Sequence, residues 1–147
     1  MSISAAKRFL MLALESERRI RDITEERRHL MDIAGHITAG LDGMPHGTTA
    51  SSRVEQAAVA LADLDGRLAQ EVALLVRSVQ DVSDVIAKVE DEKQRRILQL
   101  RYVSGLSWRA ITDRMGYTSE KAAYYIHRRA LCSVQIILKK RDPKNRG

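Results

Sequence analysis

Few residues of this chain have the types and spacing that catalysis or metal binding requires. His29, Asp32 and His36 stand three and four residues apart, so on a helix they share a face and could hold a metal ion. The two histidines lack the i,i+4 spacing of zinc-binding helices, and surface polar residues are the better interpretation. The sequence has no glycine-rich phosphate loop, no zinc-finger pairs, and no pair of carboxylates suited to acid-base work. We therefore expect no enzyme activity, no metal and no cofactor.

Basic and aromatic residues near the C-terminus are the remaining residues whose side chains could bind a ligand. Lys121 and Arg128 could donate hydrogen bonds to guanine or to phosphate, and Tyr124 could contact a thymine methyl group or a phosphate. Glu120 could accept a hydrogen bond from the amino group of cytosine. This set of groups suits recognition of a nucleic acid.

Two short amphipathic helices are predicted to precede these residues. Ile97, Leu98 and Tyr102 form an apolar stripe at helical spacing, and Gly105 ends that helix by tolerating positive φ. Ser107 then caps a second helix over 108–115, which Gly116 ends.

A third helix is predicted to carry the basic and aromatic residues. Thr118 or Ser119 caps it, and its apolar positions recur every four residues. The predicted core face consists of Ala122, Ile126, Ala130, Val134 and Leu138. Trp108 and Tyr125 are predicted to pack between helices. Two helices joined by a tight turn and braced by a third form the helix-turn-helix plan.

This C-terminal segment resembles the promoter-reading domain of bacterial sigma factors, known as region 4. The resemblance covers about the last third of the chain. It rests on Leu100-Arg101-Tyr102, Gly105-Leu106-Ser107-Trp108, Ile111, Met115-Gly116, Thr118 and Ile126-His127-Arg128. Ala110 stands where the family usually has Glu, so the capping box is absent. The resemblance implies a helix-turn-helix domain over residues 92–138 that binds double-stranded DNA.

The residues expected to touch DNA fall into two groups. In a helix-turn-helix the first turns of the second helix reach base edges, whereas phosphate contacts fix the register. The predicted base contacts are Ser119, Glu120, Lys121, Ala123, Tyr124, His127 and Arg128. The predicted phosphate contacts are Ser107, Arg109, Arg114, Thr118, Arg129, Lys139 and Lys140.

Charge is unevenly distributed along the chain. Residues 1–91 hold 11 Lys and Arg against 15 Asp and Glu, a net charge of −4, whereas residues 92–147 hold 14 against 4, a net charge of +10. The excess positive charge therefore lies on the predicted helix-turn-helix segment, where it favours a polyphosphate partner.

Cys132 is the only cysteine, which fits a reducing compartment, and no apolar run is long enough to span a membrane. We expect a cytoplasmic protein of a bacterial host cell, without membrane contact.

Two long helices are predicted ahead of this domain. The first extends from Ser4 to Ala39 with an apolar seam at alternating spacings of three and four, interrupted by Arg27, which is expected to reach the helix edge. The second covers residues 53–90 with Val54, Leu61, Leu68, Leu75, Val82 and Val89 every seven residues and with Leu64, Val72, Val79 and Ile86 between them. We predict an all-α fold in which residues 1–91 form a coiled-coil-like antiparallel hairpin.

The connections of the hairpin complete the predicted organisation. Residues 40–52 are rich in glycine, serine and threonine and form a break, and residues 139–147 are predicted to be a disordered basic tail. Two helices alone would leave part of their seams exposed, so we expect a second copy of the chain and favour a dimer through the hairpin.

Four functions remain open on this layout. It is similar to small phage and prophage transcriptional regulators of the RinA and ArpU kinds, which implies transcription control with host RNA polymerase as a candidate partner. A small terminase, the DNA-recognition subunit of phage packaging, also joins a helix-turn-helix to a helical oligomerisation region; a ring of eight or more subunits would favour it. An adaptor that binds RNA polymerase without touching DNA is the third possibility. A scaffold in which the hairpin alone is the working part is the fourth.

Overall fold

The protein, described here from a computed structural model, is all-helical over residues 3–39 and 48–142, the part of the chain that the structure describes. The fold class predicted from the sequence is confirmed at this level. The elements are α1 (Ile3–Leu10), α2 (Leu12–Ala39), α3 (Thr48–Ala87), α4 (Glu92–Leu98), a π-helical turn (Gln99–Val103), α5 (Trp108–Met115) and α6 (Glu120–Arg141).

The predicted first helix is interrupted at one residue, Met11, between α1 and α2. The Met11 amide donates to the Lys7 carbonyl and the Glu15 amide donates to the Met11 carbonyl, both at 2.9 Å. These are i→i−4 bonds, so the α-helical hydrogen bonding continues across the interruption. All ten predicted seam positions, from Ala6 to Ile37, are buried or half-buried, which confirms the apolar seam.

The chain divides into two compact units. The terminal unit holds residues 1–15 and 75–147, and the middle unit holds residues 16–74. This differs from the predicted boundary between residues 91 and 92. The physical reason is burial: Leu10 of α1 and Ile86 of α3 share one apolar cluster with Val134 of α6.

Two apolar clusters form the core of the terminal unit. The larger one buries Ala6, Leu10, Val82, Val85, Ile86, Val89, Leu98, Tyr102, Ala130, Leu131 and Val134. The smaller one buries Ile97, Ile111 and Ala123, with Trp108 among the half-buried residues packed against it. Each large apolar side chain contributes roughly 1.5–3 kcal/mol when fully buried. Because α6 supplies residues to both clusters, its rotation about its own axis is fixed.

Residues 88–91 separate α3 from α4, and the last of them is Asp91. Its side chain accepts a hydrogen bond from the Gln94 amide at 2.9 Å and so caps α4. Arg95 reaches back and donates to the Val89 carbonyl at 2.8 Å. The predicted second long helix therefore ends at Ala87 and does not continue into the C-terminal segment.

The helix predicted to end at Gly105 finishes in a π-helical turn. The Ser104 amide donates to the Gln99 carbonyl at 3.0 Å, an i→i−5 bond. Gly105 follows with φ 70°, as the sequence predicts. This turn places Tyr102 in the core and its neighbour Arg101 at the edge of it.

Ion pairs connect α2 and α3 within the middle unit. Arg19 Nε lies 3.0 Å from Glu71, and Arg27 Nε lies 2.7 Å from Asp65. The partner of the later α2 residue, Arg27, comes earlier in α3 than the partner of Arg19. This is the order in which antiparallel helices pair. Arg27 thus reaches the helix edge as predicted, but Val54 and Val72 of the predicted α3 seam are 37% and 45% exposed. The predictions for these two residues are wrong, whereas the predicted seam residue Leu64 is buried, and Ala57, which was not predicted, is buried as well.

The predicted connections differ from the structure at their ends. α3 begins at Thr48, inside the predicted break 40–52, and residues 40–47 lie outside the described part. α6 continues to Arg141, so Lys139 and Lys140 are helical and do not belong to a disordered tail; residues 143–147 again lie outside the described part. The helix extends because the Asp142 amide still donates to the Leu138 carbonyl. Among the helices of the described residues, none has the length and apolarity to cross a membrane.

Candidate nucleic-acid interface

Caps at both ends define α5, the helix that precedes α6. The Ser107 hydroxyl accepts a hydrogen bond from the Ala110 amide at 3.2 Å, and Gly116 ends the helix at φ 73°. Thr112 is buried, and its hydroxyl donates to the Trp108 carbonyl at 2.8 Å, which satisfies it locally. The predicted bounds and caps of α5 are confirmed.

The chain enters α6 at Ser119, which has the extended backbone of an N-cap (φ −149°). The Ser119 side chain makes no capping hydrogen bond, unlike that of Ser107. Thr118 and Ser119 are both exposed. Of the two predicted caps, Ser119 is therefore the N-cap residue by its backbone conformation, but its hydroxyl makes no hydrogen bond to the helix.

The buried face of α6 runs through Ala123, His127, Ala130, Leu131 and Val134. Two predicted base contacts, Ala123 and His127, lie on it and are 0% and 9% exposed. Their prediction as DNA contacts is wrong. Of the predicted core face, Ala130 and Val134 are buried as predicted, and Ala122, Ile126 and Leu138 are half-buried. In the first turns of α6 the buried positions are Ala123 and His127, one residue later than predicted.

The opposite face of α6 carries the other predicted base contacts. Ser119, Glu120, Lys121, Tyr124 and Arg128 are all exposed. Tyr125 joins them: it is 63% exposed, with the Arg129 guanidinium 5.8 Å from its ring centre. The prediction that Tyr125 packs between helices is wrong, for the same one-residue rotation.

Tyr124 has a defined orientation on this surface. Its hydroxyl donates to Glu120 at 3.0 Å, one helical turn back, and this hydrogen bond raises the pKa of Tyr124 above its ordinary value. Its ring meets the edge of Trp108 with centroids 5.0 Å apart and an interplanar angle of 67°. An exposed aromatic side chain held at two points presents a fixed shape to a ligand.

Trp108 packs against three side chains at once. The Arg101 guanidinium lies 4.9 Å from the ring centre, a cation–π contact, while Arg101 also donates to the Leu106 carbonyl at 2.9 Å. The His127 ring lies 4.6 Å from Trp108 on its inner side. The predicted packing of Trp108 between helices is confirmed.

Behind Trp108, Tyr102 and His127 form a buried polar pair. The Tyr102 hydroxyl oxygen and His127 Nε2 are 2.6 Å apart. Burial raises the pKa of Tyr102 to about 12. Burial, together with the positive charges of Lys7 and Arg101, lowers the pKa of His127 to about 4. Both groups are therefore neutral at pH 7, and each satisfies the other's hydrogen-bonding group.

Exposed cations surround the outer face of α6. Arg109, Arg114, Lys121 and Arg128 form no ion pair with a carboxylate of the described residues, so their charge is available to an external anion. Ser107, Arg129, Lys139 and Lys140, predicted as phosphate contacts, are also exposed. Lys139 lies about 22 Å along α6 from Tyr124 at ~1.5 Å per residue, so these lysines serve a different part of any ligand.

Of the polar residues considered for metal binding, Asp32 has another partner. Arg28 lies 3.8 Å from the Asp32 carboxylate, the central member of the proposed set with His29 and His36. Residues 3–39 and 48–142 contain no group of three His, Cys, Asp or Glu side chains arranged to hold a metal ion.

No model of a known protein family matches this sequence, and neither does a curated protein or a solved structure. The interpretation of this surface therefore depends on its geometry and charge.

Proposed function

We propose that this protein is a sequence-specific regulator of transcription, encoded by a phage or prophage, that binds double-stranded DNA through α5 and α6. The observation that carries the proposal is the division of α6 into two faces. One face is locked into the core by Ala123 and His127, and the other presents Lys121, Tyr124 and Arg128 to solvent.

The turn between α5 and α6 supports a helix-turn-helix. It spans Gly116 to Ser119, and Gly116 at φ 73° allows a sharp change of direction. The major groove of B-DNA is about 12 Å wide and admits one helix, with the first turns of that helix nearest the bases. Lys121, Tyr124 and Arg128 lie within the first three turns of α6.

The side chains of this surface divide into candidate base contacts and candidate phosphate contacts. Lys121 and Arg128 supply donors for guanine or phosphate, and Tyr124 and Tyr125 supply apolar ring edges for thymine methyl groups. Arg109 and Arg114, on α5, supply unpaired charge for the phosphate backbone. In this proposal Glu120 is held by Tyr124 and accepts from an exocyclic amino group.

A second copy of the chain is the proposed partner of the long helices, in a hairpin arrangement of α2 and α3. Positions three and four residues apart on α3 form an exposed apolar line, which we call the α3 outer face: Val59, Ala62, Gly66, Ala69 and Ala73. Val59 is 64% exposed. A Cβ added at Gly66 would meet nothing within 4 Å, so packing among the described residues does not require this helix-weakening glycine. Close approach of another helix would require it.

The resemblance in layout to small phage and prophage regulators makes host RNA polymerase, in the bacterial cytoplasm, a further candidate partner. The exposed cations of α5 and α6 are more numerous than an apolar protein interface would use, which favours DNA as the primary ligand.

Selection of bound duplexes from a random DNA pool, followed by titration at fixed salt, tests the proposal. Arg128→Ala and Lys121→Ala are expected to weaken binding to the selected duplex by roughly 1–3 kcal/mol each if they contact bases. Arg18→Ala is the matched control, because Arg18 is an exposed arginine of α2 without an ion pair among the described residues. Failure to enrich any sequence, or equal losses in all three variants, would contradict the proposal.

A further inference from the structure

A continuous series of side-chain contacts connects the core of the terminal unit to the proposed DNA surface. It begins at the buried pair Tyr102–His127, passes through Trp108, and ends at the exposed Tyr124. None of these contacts depends on the middle unit.

The inner part of the series is tightly constrained. Tyr102 and His127 are joined by the 2.6 Å hydrogen bond, and their rings are stacked with centroids 5.7 Å apart. Tyr102 is 1% exposed and His127 is 9% exposed. Because the hydrogen bond fixes the plane of the imidazole, it also fixes the surface that His127 offers to Trp108, 4.6 Å away at an interplanar angle of 69°.

The outer part of the series connects Trp108 to Tyr124, so the orientation of His127 affects that of an exposed side chain. Trp108 contacts both the His127 ring and the Arg101 guanidinium, which donates to the Leu106 carbonyl. Trp108 also contacts the ring of Tyr124, with centroids 5.0 Å apart. Tyr124 is 45% exposed, so in a free helix its side chain would exchange among rotamers. Trp108 removes part of that freedom before any ligand binds.

We propose that Tyr102 and His127 are positioning residues for base recognition: through Trp108 they set the orientation of Tyr124 and so determine how sharply one base is selected, although neither can reach DNA. This inference rests on the proposed function in DNA binding. The physical basis is preorganisation, since a side chain already held in its bound orientation loses less entropy on binding. The π-helical turn contributes because two of its consecutive residues contact this series: Tyr102 pairs with His127, and Arg101 lies against Trp108.

Tyr102→Phe tests the inference with the full chain. The variant keeps the ring but leaves His127 Nε2 without its partner, which loosens the imidazole and the Trp108 edge against Tyr124. Affinity is measured for the selected duplex and for duplexes changed at one base pair at a time. We expect discrimination to fall by about 3–10-fold at the base pair whose preference Tyr124→Ala also removes, with discrimination elsewhere unchanged.

Ser133→Ala is the matched control. The Ser133 hydroxyl, in the same unit, donates to Gln94 at 2.6 Å and lies 3.3 Å from the Arg129 carbonyl. The change therefore also removes one hydroxyl and its hydrogen bonding, but it touches no member of the contact series. Its base-preference profile is expected to match that of the unchanged protein. The double variant Tyr102→Phe with Tyr124→Ala should discriminate no worse at that base pair than Tyr124→Ala alone.

His127→Gln provides a second route if Tyr102→Phe folds poorly. The glutamine can still accept from Tyr102, yet it removes the ring that contacts Trp108. The same local loss of discrimination is expected. Trp108 is the only tryptophan of the chain, so its fluorescence reports the rearrangement directly, while far-UV circular dichroism checks that the helices persist.

The outcomes separate the inference from the proposed function. If the unchanged protein selects no sequence, the proposed function fails. If it selects one and the folded Tyr102→Phe and His127→Gln variants keep the same base-preference profile, only the inference is overturned. Equal weakening at every base pair would likewise overturn it, because a general loss of stability or affinity is what a merely structural role produces.

Discussion

Among single residues, the buried pair Tyr102 and His127 determines which side chains of α6 face the core. Both side chains sit in the core of the terminal unit and satisfy each other's polar atoms. A buried hydrogen-bonded pair specifies one arrangement of the surrounding rings, because any other arrangement leaves a polar atom without a partner. This is the reason that α6 presents Ala123 and His127 to the core.

The stability of the protein is expected to depend on pH through His127. Its pKa is about 4 in the folded chain against an ordinary 6.5, because burial disfavours the imidazolium and Lys7 and Arg101 repel it; Tyr102 faces it uncharged. As the pH falls, the unfolded chain takes up this proton first. The contribution of neutral His127 is therefore complete above about pH 6.5 and is lost as the pH falls toward 4. The loss is on the order of 3 kcal/mol, at ~1.4 kcal/mol per pH unit.

Urea unfolding of the unchanged protein and of His127→Gln isolates this contribution from that of the carboxylates, which titrate in both proteins. Between pH 7 and pH 4, the difference in unfolding free energy between the two proteins should change by the roughly 3 kcal/mol attributed to neutral His127. A difference that stays constant with pH would show that His127 is not held neutral in the folded protein.

At the scale of elements, capping accounts for the separation of α5 from α6. Ser107 caps α5 with its side chain, whereas Ser119 begins α6 without a side-chain hydrogen bond. Gly116 between them is at φ 73°, a conformation that residues other than glycine adopt at a cost of about 1–2 kcal/mol. These local features, all readable in the sequence, fix where the two helices meet.

Two serine substitutions are expected to have unequal effects. Ser107→Ala should lower the free energy of unfolding by about 1 kcal/mol, because the Ala110 amide loses its acceptor. Ser119→Ala should change it by a few tenths of a kcal/mol at most, because no capping bond is lost. Thermal or urea unfolding of the two variants measures both effects, and equal losses would disprove the assigned difference in capping.

At the scale of the whole molecule, charge and burial are divided unequally between the two units. The terminal unit carries 18 Lys and Arg against 9 Asp and Glu, and the middle unit carries 7 against 10. The unit proposed to bind DNA therefore holds the entire excess of positive charge. The middle unit is net acidic and carries the α3 outer face, which suits association with another protein chain better than with DNA.

Self-association through the α3 outer face is expected to be sensitive to a charge at its end. Val59→Lys should convert the dimer to monomer, because a lysine ammonium would be buried against apolar side chains. Thr24→Lys on α2 is the control, since Thr24 is exposed and lies off this face. Sedimentation equilibrium gives the mass directly. A monomeric parent protein, or a Val59→Lys variant that remains a dimer, would refute this surface, and a ring of eight or more subunits would favour the packaging alternative.

The sequence by itself determined the local structure of this protein. The seam of α2, the cap at Ser107 and the positive φ at Gly105 and Gly116 were all predictable, because each depends on residues within one or two helical turns. Helical propensity and apolar spacing were likewise sufficient for the all-α fold class. The π-helical turn was not predictable, because one additional residue per turn leaves no distinct pattern in so short a segment.

Only the tertiary structure decided the rotation of α6 and the division into units. Ala122 and Ala123 are chemically identical, so the sequence offered two buried faces one residue apart, and the fit of His127 between Tyr102 and Trp108 selected one of them. The same choice placed Tyr125 on the surface. The grouping of α1 with the C-terminal helices was decided by burial between residues more than seventy positions apart, such as Leu10 and Val82. Contacts of that range depend on the complete packing of the chain, which local patterns do not encode.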